Sequence, residues 1–599
     1  MTDNDPGLFF AEDGAPRSAR FGDIYYSLQD GLAESRAVFL GGCHLPEAWE
    51  GRKHFTVMEL GFGTGLNLAA LMQLWCASRV ADSHLHIFSI EGFLMDAEAA
   101  SRALGAWPEL EPFATALLEQ WPAPRQGFHH MDFPQWGVSL TLALSDVQAA
   151  LDAWRGEADA VFLDGFSPAL NAEMWSDEVL ALVGRRCRSG ARLATFTVAG
   201  AVRRGLQAAG FVVEKCPGFG RKRERLEAQF TPGHAGSRAG GAGRTVRRLA
   251  VVGAGIAGCA LVWQARLLGL EVDLFDAQGV GAGASGNAAA LVTPRLDAGN
   301  NAISALFADA YAYAGAMYRR LCPQAIVGEG VSQVAAGPRD VSRYARIAGQ
   351  AIFTPGDLEL FDVGDDADVP GEVGIRISRA LWVRPPMVLE ALLDGRPADI
   401  RCVSTLPEGY DAVILACGDG IFDLLETRGR FDLGPVRGQV EVAPAAEAPR
   451  RALSWGGYAV PMDVQGKNGG LLFGATHERG DRGVDARAAD RTRNLESLAR
   501  IMPQRVADIA GKELQSRASI RVMTRDYMPA IGEVAPGVYV LTGLGARGFC
   551  LAPLLAKALL ADLTGAPSPL PAAAQNLLNI CRLATDLPGT TDLTISTRS

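Results

Sequence analysis

Two glycine-rich stretches carry the residues best suited to hold a small ligand. The first reads ELGFGTGLN, in which Glu59 precedes three glycines and Asn67 follows them: Gly61, Gly63 and Gly65. Glycines let a backbone turn tightly and approach a ligand, and the acid can hold a polar or cationic group. Leu66 stands where a dinucleotide loop needs a third glycine, and no Walker lysine follows. The motif therefore does not predict phosphate binding.

The second stretch, LAVVGAGIAGCA, has the full G-x-G-x-x-G spacing at Gly253, Gly255 and Gly258. An apolar strand precedes it, an apolar helix follows, and Asp276 lies near the end of the next apolar run, EVDLFDA. This context predicts a dinucleotide site, with the pyrophosphate at the helix N-terminus and Asp276 on the adenosine ribose. The spacing alone does not choose between NAD and FAD.

Besides Asp164, which ends AVFLD, three carboxylates stand at the ends of apolar runs. They are Glu59 before the first glycine loop, Glu91 at the end of SIE and Asp146 after LTLALS. Each one taken alone fits a helix N-cap or a solvated strand end. Three in corresponding positions favour a shared site, because ligands of open α/β sheets bind at the carboxyl ends of the strands.

The elements that must position these side chains are strands alternating with helices. Between His54 and Phe230, short apolar runs alternate with helical patterns, which predicts an α/β fold with a parallel, doubly wound sheet. The runs are HFTVMEL, LHIFSIE, SLTLAL, ADAVFLD, ARLATFT, GFVVE and EAQF.

A chain of 599 residues exceeds what one hydrophobic core organises, so at least two domains are expected. The stretch TPGHAGSRAGGAGRT is rich in Gly and Ala, lacks apolar periodicity, and reads as a linker. We predict a first domain over residues 1–232, a linker over 233–246 and a second domain over 247–599.

Composition excludes several classes of protein. The chain is 48% hydrophobic and 21% charged with a net charge of −10, which is typical of a globular enzyme. No apolar run of 18 residues exists, so we expect no membrane span. The ten cysteines form no C-x-x-C pair, which favours a reducing cytoplasm, and the eight histidines predict no metal site.

One segment is basic within this acidic chain. Residues 214–248 hold nine basic and three acidic residues, an excess of +6. Such a stripe is typical of a polyanion contact, although a solvated linker explains the charge equally well. The contact candidates are Lys215, Arg221, Lys222 and Arg223.

The first half resembles class I S-adenosylmethionine-dependent methyltransferases through ELGFGTGLN and the strand-end acids. The resemblance implies that the glycine loop with Glu59 and Asn67 binds S-adenosylmethionine, Glu91 its ribose and Asp146 its adenine. Methyl transfer needs an aligned, neutral nucleophile, so Asp164 is the candidate acceptor of an amine proton. Phe166 suits a clamp on the acceptor, and Trp175 suits either that clamp or the core.

The second half resembles the glycine oxidase and D-amino acid oxidase branch of FAD-dependent oxidoreductases, with an α+β substrate sheet over the flavin. The resemblance rests on GAGASGN, GYDAVILACG and GLGARGF, and implies FAD contacts at Ser285, Asn287, Gly418, Gly543, Gly545 and Gly548. A second helix N-terminus would then face the flavin. Arg521 and Arg547 would grip a substrate carboxylate, with Arg525 ranked behind them. Tyr458 would add a hydroxyl or fill the sheet.

The order of these motifs along nearly the whole chain resembles the bifunctional tRNA 5-methylaminomethyl-2-thiouridine biosynthesis proteins. The resemblance implies an FAD domain that removes the carboxymethyl group from 5-carboxymethylaminomethyluridine at the tRNA wobble position. The first domain would then methylate the exposed amine. It also implies tRNA as partner, a cytoplasmic location and no membrane association, and we expect a monomer. The alternatives are a fused pair acting on free small amines and a scaffold without turnover.

Overall fold

A computed structural model describes residues 7–12, 14, 16–26, 30–220, 222–231, 246–299, 301–366, 368–394, 405–424, 431–444, 448–464 and 467–584. The chain divides into two compact units, one built mainly from residues 1–244 and the other mainly from residues 245–599. The predicted linker, residues 233–246, lies outside the described residues except for Val246. Its conformation therefore stays a prediction.

The first unit contains a small antiparallel sheet and a large mixed sheet. The small sheet consists of β1 (Leu8–Phe10), β2 (Pro16–Ser18) and β3 (Asp23–Ile24). The strands of the large sheet are β4 (His54–Leu60), β5 (His84–Glu91), β6 (Gly127–Phe133), β7 (Val138–Leu144), β8 (Ala158–Leu163), β9 (Cys187–Thr195), β10 (Phe211–Pro217) and β11 (Glu224–Phe230).

Five neighbouring strands of the large sheet are parallel, in the order β9-β8-β4-β5-β7. Strands β4, β5, β7 and β8 are almost wholly buried, as expected of apolar strands covered by helices on both faces. The glycine loop after β4, Glu91 at the end of β5 and Asp164 after β8 consequently lie at one edge of the sheet.

The prediction of a wholly parallel sheet is wrong at the two sides of the sheet. Strand β6 pairs antiparallel with β7, and the hairpin of β10 and β11 pairs antiparallel with β9. Strand β6, GFHHMDF, was not anticipated. Its two histidines interrupt the apolar pattern, and both are buried by neighbouring strands. Strand direction depends on the connections between strands, which apolar periodicity does not encode.

Helices flank the large sheet. They are α1 (Gly31–Ser35), α2 (Leu66–Ser78), α3 (Ala97–Leu104), α4 (Glu111–Glu119), α5 (Val147–Ala153), α6 (Asp177–Arg185) and α7 (Gly200–Ala208). A π-helical turn, Arg36–Leu40, continues α1, and single 3-10 turns cover Glu47–Trp49, Pro108–Leu110, Pro134–Trp136 and Ala172–Trp175. Side chains of Asp30, Asp96, Asp146 and Ser176 cap α1, α3, α5 and α6 by accepting backbone N–H groups.

The second unit is built on two sheets, of which the first is a five-stranded nucleotide-binding sheet. Its strands are β12 (Arg248–Val252), β13 (Glu271–Phe275), β18 (Ala412–Leu415), β25 (Ala530–Ala535) and β26 (Val538–Thr542). The order is β13-β12-β18-β26-β25, and only β25 runs antiparallel to its neighbour. The strand preceding the second glycine loop, β12, therefore has a parallel neighbour on each side.

The second sheet of this unit is large and mostly antiparallel. Its strands are β14 (Ala290–Val292), β15 (Ile326–Val334), β16 (Leu358–Phe361), β17 (Gly374–Val383), β19 (Leu433–Pro444), β20 (Ala452–Ser454), β21 (Tyr458–Val464), β22 (Lys467–Gly474), β23 (Glu478–Arg479) and β24 (Gln515–Thr524). Strand β19 pairs with β22, β23 and β24. This second sheet corresponds to the α+β substrate sheet that the sequence analysis expected in this unit.

The helices of the second unit are α8 (Ile256–Leu267), α9 (Asn301–Leu321), α10 (Pro338–Ala348), α11 (Pro385–Leu393), α12 (Ile421–Leu424), α13 (Ala488–Ile501), α14 (Pro503–Ile509), α15 (Gly548–Thr564) and α16 (Ala572–Leu578). Short 3-10 turns cover Ala284–Gly286, Pro323–Ala325, Gly418–Gly420 and Ile580–Leu583. Among the described residues, no helix is long and apolar enough to span a membrane.

Candidate active sites

The first site is built around the glycine loop between β4 and α2. Gly61, Gly63 and Gly65 all have positive φ, and α2 begins directly afterwards at Leu66. A Cβ on Gly61 would lie 3.1 Å from the carbonyl oxygen of Asp164. A side chain would therefore be strained at Gly61 and would push the loop away from the strand end that carries Asp164.

Two predicted acids approach this loop. The Glu91 carboxylate accepts hydrogen bonds from the backbone N–H of Gly63, at 2.9 Å, and from that of Phe93, at 2.8 Å. Glu59 is fully buried, and Ser89 Oγ donates to its Oε2 at 2.6 Å. The other Glu59 oxygen has no hydrogen-bond partner among the described residues. Burial raises the pKa of both carboxyls, and that of Glu59 lies well above its ordinary value.

Asp164 faces the same loop from the end of β8. Its Oδ1 accepts from the Gly165 N–H at 2.8 Å, and its Oδ2 accepts from Asn67 Nδ2 at 2.9 Å. Burial raises the pKa of the Asp164 carboxyl to about 6, although both hydrogen bonds act in the opposite direction. A carboxylate with this pKa is suited to accept a proton near neutral pH.

Asp146 differs from the other acids in its exposure and its hydrogen-bond partners. It is exposed, and its Oδ1 accepts the N–H groups of Gln148 and Ala149 at the start of α5, at 2.9 and 3.1 Å. This is the N-cap geometry that the sequence analysis kept as the alternative for each acid. A contact between Asp146 and an adenine stays a prediction.

An aromatic cluster beside Asp164 was missed by the sequence analysis. Phe166 stacks on Phe21 with ring centroids 4.7 Å apart and meets Tyr25 edge-on at 5.1 Å. Asp23 ties this N-terminal hairpin to the loop after Asp164, because it accepts the Ser167 N–H at 2.9 Å. The only available signal was the aromatic spacing in RFGDIYY. Trp175 instead packs into the core and donates to the Phe166 carbonyl at 2.9 Å.

Both lysines of the basic segment pair with glutamates. Lys215 Nζ lies 2.7 Å from Glu224 Oε2, and Lys222 Nζ lies 3.0 Å from Glu34 Oε1. Arg223 is exposed in the turn between β10 and β11. Arg221 lies outside the described residues. Local charge pairing of this kind depends on the hairpin register and on α1, so a residue count could not reveal it.

In the second unit, the dinucleotide loop connects β12 to α8 with no room for side chains. A Cβ on Gly258 would lie 1.7 Å from the carbonyl oxygen of Gly253. A Cβ on Gly253 would lie 2.5 Å from the Ala416 carbonyl oxygen, and one on Gly255 would lie 3.0 Å from Ser285 Oγ. Helix α8 therefore packs directly against the strand, with its N-terminus open to an anion.

Asp276 and the loop at residues 281–287 border this helix terminus. The Asp276 carboxylate accepts the Ala254 N–H at 2.7 Å and the Gln278 and Gly279 N–H groups. Ser285 Oγ accepts the Ile256 N–H at 3.0 Å. Asp276 therefore contacts the glycine loop just before α8, and Ser285 contacts Ile256, the first residue of α8.

Arg517 holds the same loop and was missed by the sequence analysis. Its guanidinium donates to Asn287 Oδ1 at 2.7 Å and to the carbonyl oxygens of Ala282 and Gly283, at 2.9 and 2.7 Å. Arg517 lies on β24, four residues before Arg521. Because side chains alternate along a strand, the pair in RASIR shares one face, and this spacing was the available signal.

The N-terminus of a second helix, α15, lies close to the N-terminus of α8. Helix α15 begins at Gly548, where an added Cβ would lie 3.0 Å from Ile256 Cγ2 at the start of α8. Gly543 and Gly545 form the preceding loop with positive φ, and Gly418 lies in the turn after β18. The described glycines predicted to contact FAD are therefore located at strand ends and helix N-termini.

The two predicted carboxylate-binding arginines occupy different surroundings. Arg521 Nη2 donates to the Thr476 carbonyl at 2.9 Å, and Arg521 and Tyr458 lie close enough to interact electrostatically. Burial raises the pKa of Tyr458 to about 12. Arg547 Nη1 donates to Thr293 Oγ1 at 3.1 Å. Burial lowers the pKa of both guanidinium groups, so each favours an anionic partner.

Arg525 is exposed and lies 3.9 Å from Asp432, so its lower rank agrees with its position. Across the described residues, no group of three or more His, Cys, Asp or Glu side chains is arranged to hold a metal ion.

The residues of both units fit the predicted cofactors. The first loop adjoins a fully buried carboxyl group, that of Glu59, which suits a ligand with cationic groups, as in S-adenosylmethionine. The second unit has a glycine cradle without space for a Cβ and two adjoining helix N-termini, which suit the diphosphate and ring of FAD. Folds and sites together define a methyltransferase joined to a flavin-dependent oxidoreductase.

Comparisons with known proteins agree with this class of protein. The family model described as S-adenosyl-L-methionine-dependent methyltransferase matches residues 108–231, and the one described as FAD dependent oxidoreductase matches residues 248–563. A tRNA 5-methylaminomethyl-2-thiouridine biosynthesis bifunctional protein of Caulobacter sp. (strain K31) is 48% identical over 94% of this chain and 95% of its own length. The protein of the same name from Caulobacter vibrioides is 46% identical over 97% and 98%.

The chain therefore belongs to the family of tRNA 5-methylaminomethyl-2-thiouridine biosynthesis bifunctional proteins. This confirms the resemblance, the fold class, the two enzymatic domains and the cofactors S-adenosylmethionine and FAD. Among solved structures, iminodiacetate oxidase from Chelativorans sp. BNC1 covers 55% of this chain at 20% identity with a TM-score of 0.44, too low to add to the assignment.

Proposed function

We propose that this enzyme completes the side chain at C5 of the wobble uridine of tRNA in two steps. The FAD domain removes the carboxymethyl group from 5-carboxymethylaminomethyl-(2-thio)uridine and leaves an aminomethyl group. The methyltransferase domain converts that amine to 5-methylaminomethyl-(2-thio)uridine. The observation that carries the proposal is the pair of candidate sites on one chain, which aligns with relatives of this name over 94% and 97% of its length.

In the oxidative step, FAD would supply the hydride acceptor for the carbon between the amine and the carboxylate. The resulting imine adds water and releases glyoxylate. The residues of the protein would bind the carboxylate of the substrate. Arg521 supports this role because it is half-buried beside Tyr458 and has no acidic partner among the described residues, so a substrate anion could pair with it. Arg547, beside the α15 N-terminus, supplies a second candidate.

In the methylation step, Asp164 takes a proton from the amine while the nitrogen attacks the methyl group of S-adenosylmethionine. Three features support this role: its place at the edge that carries the glycine loop, its two fixed hydrogen bonds, and a pKa near 6. Glu59, Glu91 and the glycine loop would hold the methyl donor. Phe166, with Phe21 and Tyr25, would bound the acceptor pocket.

Contact with tRNA is proposed at the turn between β10 and β11, through phosphates. The exposed Arg223 is the strongest candidate, since Lys215 and Lys222 already pair with glutamates. A cytoplasmic location follows from a tRNA substrate and fits the free state of every described cysteine. A monomeric state remains our expectation.

The test uses purified full-length protein and tRNA that carries 5-carboxymethylaminomethyluridine, with digestion to nucleosides and mass analysis. We expect aminomethyluridine without S-adenosylmethionine and methylaminomethyluridine with it. The proposal fails if neither nucleoside changes. The competing function, oxidation and methylation of free small amines, predicts turnover of glycine, sarcosine or simple amines and no change in tRNA.

A further inference from the structure

Three side chains from three elements form one hydrogen-bonded chain that ends on Asp164. Ser35, the last residue of α1 and only 2% exposed, donates from Oγ to Asn67 Oδ1 at 2.7 Å. Asn67, in the first turn of α2, donates from Nδ2 to Asp164 Oδ2 at 2.9 Å. These two hydrogen bonds fix the Asp164 carboxylate relative to α1 and α2.

The two supporting groups share an ability that a lysine or arginine lacks. A serine hydroxyl both donates and accepts, and a carboxamide donates from one side and accepts on the other. While Asp164 is ionised, the amide NH2 faces it and the hydroxyl donates. Once Asp164 is protonated, a rotation of the amide lets its oxygen accept from the acid, while Ser35 accepts from the NH2 group.

Methyl transfer imposes this change of protonation on Asp164 in every turnover. The amine lone pair forms the new N–C bond, and the S–CH3 bond breaks with its electron pair kept by sulfur, which becomes a neutral thioether. The N–H proton passes to a carboxylate oxygen of Asp164, which later returns it to water. A rigid donor would favour only the ionised form.

We propose that Asn67 and Ser35 are positioning residues for Asp164, which aim its carboxyl at the acceptor amine and stay hydrogen-bonded to it in both protonation states. This inference rests on the proposed role of Asp164 as proton acceptor. It assigns Asn67 to the base, whereas the sequence analysis assigned it to S-adenosylmethionine.

Several charged groups also face Asp164 and must be held constant in a test. They are Glu34 on α1, Lys222 from the turn between β10 and β11, and Glu59 at the end of β4. Lys222 is fixed by its ion pair with Glu34 and by the Phe196 ring, whose centroid lies 4.2 Å from Nζ. Ser35→Ala and Asn67→Leu remove none of these groups. The polar side chain of Asn67 also lowers the pKa of Glu59, so Ser35→Ala is the cleaner of the two variants.

The test is single-turnover methylation of tRNA bearing 5-aminomethyluridine by the full chain, measured between about pH 5 and pH 9. We expect Ser35→Ala to lower the plateau rate by about tenfold, the size of one lost hydrogen bond in a buried network. We expect Asn67→Leu to lower it further and to move the half-maximal rate to higher pH, because the lost donor favoured the carboxylate. Ser78→Ala, at the far end of α2, is the control and should match the wild type.

Binding and double variants separate positioning from other roles. Calorimetry with S-adenosylhomocysteine should give the same Kd for wild type, Ser35→Ala and Asn67→Leu. A Kd that rises in parallel with the loss of rate would make Asn67 a ligand contact and overturn the inference. In an Asp164→Asn background, Ser35→Ala should cause no further loss, and an additional loss would also overturn it. A wild-type enzyme that does not methylate the tRNA refutes the proposed function instead.

Discussion

Asp164 is the residue that we propose as the proton acceptor of the first unit. Its carboxyl is buried at a strand end, yet two N–H donors stabilise its charged form, so its pKa rises only to about 6. Asp146 follows β7 in the same sheet, is exposed, and caps α5 with its carboxylate. Burial and hydrogen-bond partners, more than position along the motif, separate the two acids.

The rate of methylation should follow the ionisation of Asp164. Below about pH 6 the carboxyl is protonated and cannot accept the amine proton, so the rate should fall as the pH decreases through this value. Asp164→Asn should lower the plateau rate by about a hundredfold or more and remove this limb. Mass analysis should show aminomethyluridine accumulating. A wild-type profile in the variant would contradict the assignment.

Arg521 should matter for the carboxylated substrate alone. Arg521→Met keeps the volume of the side chain and removes its charge, so kcat/KM for oxidation should fall by about a hundredfold, mainly through KM. Flavin absorbance and the methylation of aminomethyl-tRNA should stay at wild-type values. Equal losses in both reactions would point to misfolding, and a loss under about twofold would remove Arg521 from the site.

At the scale of elements, both units use the same device, a strand followed by a glycine loop and a helix. The two loops differ in which neighbouring atoms leave no room for a side chain on the glycine. Gly61 lies against the loop that carries Asp164, whereas Gly258 lies against the carbonyl of Gly253 within its own turn. The first arrangement brings a base to the ligand, and the second brings a helix N-terminus to it.

Gly258→Ala should abolish flavin binding. The added methyl group would lie 1.7 Å from the Gly253 carbonyl oxygen, so α8 must move away from β12. We expect purified protein without the flavin absorbance band, no oxidation, and unchanged methylation of aminomethyl-tRNA. Gly349→Ala is a matched control, because its added methyl group has no atom nearer than 3.8 Å. A yellow Gly258→Ala protein would contradict the predicted cradle.

For the whole molecule, the distribution of charge matters more than its sum. The net charge is −10, yet the basic segment, residues 214–248, carries a local excess of +6. Glutamates from the hairpin and from α1 pair with two of its lysines, which leaves Arg223 exposed in the turn. Association with a polyanion such as tRNA should therefore depend strongly on this turn and on salt.

Arg223→Ala should weaken tRNA binding about equally for all tRNA sequences. Loss of one phosphate contact makes the plot of log K, where K is the tRNA association constant, against log salt concentration less steep by about one. Titration of tRNA at several salt concentrations measures this slope. Arg203→Ala removes an exposed arginine from α7 and serves as control. Identical slopes for the two variants would exclude the turn as a phosphate contact.

The sequence by itself determined the elements and the ligand classes. Apolar runs ending in glycine loops or acids identify strands that end at a ligand site, because these signals are local. Family-specific spacing then indicated both cofactors before any geometry was known. Strand β6 was missed because buried histidines break its apolar pattern, and the antiparallel edges were missed because strand direction depends on long connections.

Only the tertiary structure decided which residues meet. Ser35 and Asn67 are 32 positions apart, and Asn67 and Asp164 are 97 apart, yet they form one hydrogen-bonded chain. Arg517 reaches a loop 230 positions earlier, and Lys222 pairs with Glu34 rather than remaining an unpaired surface charge. Such contacts arise from the packing of distant elements. Pairing, burial and pKa are therefore properties of the folded chain and cannot be obtained from its local patterns.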